Sequence, residues 1–140
     1  MSFHHIARWT PRTVLRSPTE QRRVLIVDDY YDGAEAISMF LSMAGYDTRF
    51  VLSGLDVGGA ITAWSPDVAI LDINMPGMDG FGVARQLRQN PDTRGIVIIA
   101  FTAQDSSAVW RSGMAAGFDG YCQKAGAPEA LLHLLTQMSG

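Results

Sequence analysis

From Arg23 onward, short unbroken apolar runs alternate with stretches of helical spacing. Positions 24–27, 68–71 and 96–101 carry no polar interruption, the pattern of strands covered on both faces, as in a parallel sheet. Weaker strand patterns occupy 48–52 and 120–123. Between the runs, Ala34, Ile37, Leu41 and Ala44 recur at three- and four-residue intervals and stop at Gly45, a natural helix terminator. Ile61 and Ala63 close a Gly-rich helix before Ser65 and Pro66, and Phe81, Ala84 and Leu87 mark a third that ends at Asn90 and Pro91. A fourth is expected from about Asp105 to Ala116, stopped by Gly117. The last carries Leu131, Leu134, Leu135 and Met138 after Pro128, a favourable first-turn residue. Five β-α units in series predict an α/β fold, a doubly wound parallel sheet with right-handed crossovers, whose ligand site lies at the carboxyl ends of the strands.

Length sets the scale: 140 residues suit one domain. The longest apolar run has six residues, far short of the ~20 needed to cross a bilayer, and no secretory signal pattern is present. The single cysteine, Cys122, excludes an internal disulfide and a Cys-rich zinc site and suits a reducing cytoplasm. Charge is unevenly placed. Residues 1–23 carry a net +4 and the remainder a net −7, and an acidic body argues against direct nucleic-acid binding, which needs clustered Lys and Arg. Residues 1–22, with Pro11, Pro18 and no apolar period, read as an N-terminal arm or linker before a domain spanning 23–140. Arg8, Arg12 and Arg16 would share a helical face, but the prolines limit any helix there. His4 and His5 are a histidine pair without a third ligand.

The residues that end the strands carry the chemistry. Asp28 and Asp29 end the first, Asp72 the third and Thr102 the fourth, and Lys124 follows the fifth. Carboxylates that share one rim repel unless a hard cation compensates them, and oxygen donors with open positions suit Mg2+. Any one Asp in such a place could be a helix cap or turn former; it is the joint placement that points to chemistry. Lys124 is the only lysine among 11 basic residues, and a compact ammonium suits a phosphoryl oxygen in a way that a forked guanidinium does not.

Four stretches, VLIVDD at 24–29, PDVAILDINMPGMDG at 66–80, AFTA at 100–103 and AGFDGYCQK at 116–124, resemble the receiver domain of two-component response regulators, of the stand-alone chemotaxis-regulator type. The likeness covers about residues 23–138. It implies a flavodoxin-like, five-stranded parallel sheet of order 2-1-3-4-5, with Asp72 accepting a phosphoryl group from a sensor histidine kinase, a phosphotransfer protein or a small phosphodonor. It also implies Mg2+ held by Asp29, by Asp28 largely through water, by Asp72 and by the backbone carbonyl of Asn74, with Thr102 and Lys124 on phosphoryl oxygens. Pro76 and Gly77 would form the turn after Asp72, and Gly80 would open the next helix. Tyr121 is implied as the aromatic that turns inward when the Thr102 hydroxyl moves, although it reads equally as an ordinary half-buried strand aromatic. The implied output surface lies around Trp110, Tyr121 and positions 131–138, toward a downstream protein the sequence does not name.

Two residues depart from the family pattern. Ala125 stands where a cis-bonded Pro usually follows the Lys, and a cis non-proline bond costs ~3–4 kcal/mol, so Lys124–Ala125 is either strained or trans with a reshaped loop. Tyr30 follows the acid pair, and either shades the site entrance or packs on the first helix. After Lys124 only 16 residues remain, too few for a DNA-binding module, so a stand-alone or excised receiver without an output domain is expected. A haloacid-dehalogenase-type phosphohydrolase also combines Asp, Thr, Lys and an acid pair, but its nucleophile precedes the pair and here Asp72 follows it. A phosphorylation-independent interaction module would be marked by loss of the Asp or Lys positions, and none is lost.

Overall fold

The computed structural model describes residues 5–15, 20–125 and 128–139. His4, Arg16 and Pro18, singled out above, lie outside them, as do Gly126, Ala127 and the domain's terminal Gly140. The strands are β1 (Ile6–Arg8), β2 (Arg23–Val27), β3 (Asp47–Val51), β4 (Val68–Leu71), β5 (Val97–Thr102) and β6 (Gly120–Gln123). The helices are α1 (Tyr31–Met43), α2 (Val57–Ala63), α3 (Gly80–Gln89), α4 (Ser106–Ala116) and α5 (Glu129–Met138). All five expected helices and five expected strands form.

β2 to β6 are mutually parallel, in the order implied by the family likeness. Their side chains alternate between two cores. Leu25, Val27, Ala69, Leu71, Ile98, Ala100 and Tyr121 face one core, shared with α2, α3 and α4. Val24, Ile26, Val68, Ile70, Val97, Ile99 and Cys122 face the other, shared with α1 and α5. Burial on both faces is the reason the strands read as continuous apolar runs.

The sheet departs from the expectation in having six strands, the sixth antiparallel. Part of the segment expected as an arm or linker thus joins the sheet: β1 pairs with β6 in the register Ile6 to Cys122, Ala7 to Tyr121 and Arg8 to Gly120. Without it, β6 would expose a row of unpaired backbone groups at the sheet edge. Val14, farther along the same segment, is buried, and its N–H donates to the Met138 carbonyl at 3.0 Å.

Local chemistry fixes the helix ends near the rim. Asp79 accepts from the Gly82 N–H at 2.9 Å and Asp105 from the Ala108 N–H at 3.2 Å, capping α3 and α4. Gly117 ends α4 at φ 105°, a left-handed conformation that glycine adopts without steric cost.

Candidate functional site

Three strands of the rim, β2, β4 and β6, are each continued by one backbone hydrogen bond past their ends. The Asp28 N–H donates to Val51 O at 3.2 Å, the Asp72 N–H to Val27 O at 2.9 Å and the Lys124 N–H to Thr102 O at 2.8 Å. These bonds hold the side chains that follow the strands at one edge of the sheet. One carboxylate oxygen from each of Asp28, Asp29 and Asp72 lies within 4.8 Å of the others. Asp28 and Asp72 are buried and Asp29 is exposed. The Asp28 Oδ1 accepts the Tyr30 N–H at 3.0 Å, so it also forms the turn into α1.

The Lys124 Nζ donates to Asp28 Oδ2 at 2.6 Å and to Asp72 Oδ2 at 3.3 Å, and lies 5.6 Å from the Phe101 ring centroid. Burial pulls the Lys124 pKa down, but the hydrogen bond and charge of Asp28, joined by those of Asp72, outweigh it and hold the ammonium above its ordinary value. For Asp72 the balance goes the other way. Burial, with the charge of Asp28, raises its carboxyl above the usual range, although Lys124 and the Asn74 N–H oppose the shift. The site is thus an uneven triad: Lys124 is held chiefly by Asp28, and Asp72 is left under-compensated.

Thr102 is fully buried at the end of β5, and its Oγ1 accepts the Gln104 N–H at 3.4 Å, which leaves its hydroxyl proton for another acceptor. Asn74 is exposed, and its N–H reaches Asp72 Oδ1 at 3.4 Å. Tyr121 is buried on β6, away from the carboxylates, and its hydroxyl donates to the Gln104 carbonyl at 2.6 Å. Gln104, which the sequence reading passed over, also donates through Nε2 to Asn74 Oδ1 at 3.4 Å. It therefore joins Thr102, Asn74 and Tyr121, and its only sequence signal is its place two residues after the strand-terminal Thr.

Tyr30 packs on the first helix, one of the two placements expected for it. The ring lies against the first turn of α1, where a Cβ on Gly33 would stand 3.0 Å from it. With Asp28, Ile37, Phe101 and Lys124 it also lines a cavity of about 370 Å3 beside the acid cluster. Among the described residues there is no cis peptide bond, so Lys124–Ala125 is trans. Gly80 packs against the turn after Asp72: a Cβ there would land on the Asp72 carbonyl oxygen and 2.8 Å from Ile73 Cα. Gly77, in the same turn, has φ 79°. Trp110 is exposed rather than seated on the sheet, with the Arg111 guanidinium 5.4 Å from its ring centroid. No helix among the described residues is long and apolar enough to cross a membrane.

Comparison with known proteins agrees with this geometry. The profile of the response regulator receiver domain matches residues 24–136. The response regulator MprA of Mycobacterium avium is 37% identical over 116 residues, which is 83% of this chain and 49% of that protein. The chain thus spans about half the length of the curated relatives it matches. Among solved structures, the chemotaxis protein CheY4 of Vibrio cholerae superposes with a TM-score of 0.81 at 29% identity, over 85% of this chain and 99% of that one. The signal receiver domain of a response regulator from Bermanella marisrubri gives 0.76 at 29% identity, over 86% and 100%. A profile that covers the five parallel strands and every residue of the acidic rim shows that this chain belongs to the response regulator receiver domain family.

Proposed function

We propose that the chain is the phosphoacceptor of a two-component or phosphorelay system, in which a phosphohistidine of a sensor histidine kinase or phosphotransfer protein gives its phosphoryl group to Asp72. Asp72 forms the new P–O bond as the donor's P–N bond breaks, and the resulting acyl phosphate later yields to water. The observation that supports this most directly is the convergence of Asp28, Asp29 and Asp72 within 4.8 Å, with Lys124 bonded to two of them.

The donor set fits a hard divalent cation, being all carboxylate oxygen with one exposed and open side. Asp28, Asp29, Asp72 and the Asn74 carbonyl would hold Mg2+, which when bound neutralises charge on the phosphoryl oxygens. The chain's own residues do the rest. Asp72, short of compensation, is a carboxylate ready to exchange its contacts for a bond to phosphorus. Lys124 supplies a point charge that turns from carboxylate to phosphoryl oxygen, and Thr102 supplies a hydroxyl donor. Positioning and charge neutralisation suffice for such a transfer, with no acid or base required. Output follows as a change in which downstream protein the domain binds, through Thr102, Gln104 and Tyr121.

Intact-mass spectrometry of the protein with acetyl phosphate tests this reading. A gain of one phosphoryl group is expected with Mg2+, and none with Asp72→Asn or after chelation of the metal. A gain that persists in Asp72→Asn would place the phosphoryl group on another residue, one that persists after chelation would remove the metal from the reaction, and no gain in any condition would leave the chain an interaction module that does not use this site.

A further inference from the structure

The N-terminal segment does more than cover an edge. Its Trp9 ring lies over Tyr121 with centroids 5.7 Å apart and planes 14° from parallel. The same ring also meets α4 at Gly113, where a Cβ would come within 2.7 Å of Trp9 Cζ3. Gly in a helix interior costs ~1 kcal/mol relative to Ala, and here it makes room for that ring. The main chain beside it is tied down as well, since the Trp9 and Thr10 N–H groups both donate to the Asp119 carbonyl, at 2.7 and 3.1 Å. The buried Asp119 carboxylate receives Thr10 Oγ1 at 2.7 Å and Arg12 Nε at 3.0 Å. Arg8 bonds to the carbonyls of Thr10, Pro11 and Arg12 and so shapes the turn that carries Arg12.

Two routes run from this segment to the loop after β5. In the first, Trp9 stacks on Tyr121, whose hydroxyl holds the Gln104 carbonyl, and the Gln104 N–H holds Thr102 Oγ1. In the second, His5 accepts the Gln123 N–H through its carbonyl at 2.8 Å and meets Gln123 Oε1 through Nδ1 at 3.0 Å, while Gln123 Nε2 donates to the Ala103 carbonyl at 3.2 Å. Carbonyls 103 and 104 are thus both held by β6 residues that the segment covers. That loop sets where Thr102 presents its hydroxyl.

We propose that residues 5–12 act as an intramolecular clasp that holds the Thr102–Gln104 loop in its phosphoryl-accepting arrangement, so that clasp docking and phosphoryl binding at Asp72 strengthen one another. Trp9 is a positioning residue, since it acts through Tyr121 and touches none of the reacting atoms. The inference rests on the reading of Asp72 as phosphoacceptor. Coupling of this kind is reciprocal and typically ~5–150-fold in affinity.

The test uses the full chain, with Mg2+ and beryllofluoride as the phosphoryl probe, binding followed by 19F NMR and amide exchange read at Trp9 and Thr10. Trp9→Ala should bind the probe about five- to tenfold more weakly than the unaltered chain, and Trp9→Phe, which keeps a ring on Tyr121, should recover most of that loss. Gly113→Ala should show the same weakening although it favours the helix, which keeps the question open to test should Trp9→Ala fold poorly. In the unaltered chain the probe should slow Trp9 and Thr10 amide exchange by the same factor. Affinity in Trp9→Ala and Gly113→Ala that matches that of the unaltered chain, or exchange that ignores the probe, would overturn the clasp. Probe binding undiminished in Asp72→Asn would instead overturn the phosphoacceptor reading on which it rests.

Discussion

The ammonium of Lys124 stands 2.6 Å from Asp28 Oδ2 and farther, at 3.3 Å, from the proposed acceptor Asp72. This asymmetry keeps the lysine in the site without neutralising the residue that must react. It predicts that Lys124→Arg, whose guanidinium is forked and longer, abolishes most phosphorylation or its consequence while preserving the fold. Lys124→Met should in addition cost ~1–3 kcal/mol at neutral pH, because two buried carboxylates lose their counter-charge. Chemical denaturation together with phosphorylation rates checks both. The Lys124 contribution to stability is fully present below its ordinary value of 10.5 and should fade as pH rises through the raised folded value.

Asp72 has the opposite linkage. Burial raises its carboxyl, so above the ordinary value of 3.8 the folded state holds its proton longer than the unfolded chain does. Stability attributable to this group is therefore lost as pH rises through the interval between the ordinary and the raised value, and stays lowered above it. In metal-free buffer Asp72→Asn should accordingly raise Tm at neutral pH, and the gain should vanish in acid below the ordinary carboxylate value. Thermal melts of both proteins across that range decide it, and a lower Tm for Asp72→Asn at neutral pH would contradict the charge balance described here.

Asp119 is the structural counterpart of that site, a buried carboxylate with every partner in place. Its oxygens receive Arg88 at 2.6 Å, the Ile98 N–H at 2.9 Å, Thr10 and Arg12. Asp119→Ala leaves the largely buried Arg88 and the buried Ile98 N–H without this acceptor and should cost ~3 kcal/mol or more. A loss under ~1 kcal/mol by urea denaturation would show that the network contributes little.

Gly80→Ala should disturb the acceptor turn directly, because its new methyl would meet main chain of Asp72 and Ile73 rather than a flexible side chain. The expected results are a stability loss of ~1–3 kcal/mol and slowed phosphorylation, measured by denaturation and by acetyl phosphate labelling. Unchanged labelling would mean that the turn tolerates the shift.

The parallel core was legible because both faces of its strands are apolar, and the acid cluster because strand ends converge whatever the loops do. β1 was not: Ile6–Arg8 is three residues long, has no period, and finds its partner at the far end of the chain. The roles of Trp9 and Asp119 escaped for the same reason, since stacking on Tyr121 and pairing with Arg12 and Arg88 are contacts between segments that sequence spacing does not relate. Trp110 is exposed on α4, the helix of the expected output surface, whereas Trp9 is the tryptophan stacked on Tyr121. The inclination of Lys124 toward Asp28 was also beyond the sequence, because it depends on fractions of an ångström at the rim.

The central claim, that Asp72 alone accepts the phosphoryl group and that the acid cluster works through Mg2+, is tested most directly by borohydride trapping followed by peptide mass mapping. Reduction of an acyl phosphate turns the modified aspartate into homoserine at a single, readable position. The account predicts homoserine at position 72, present with Mg2+ and phosphodonor and absent when the metal is chelated. Homoserine at position 28 or 29, or at 72 irrespective of the metal, would contradict it.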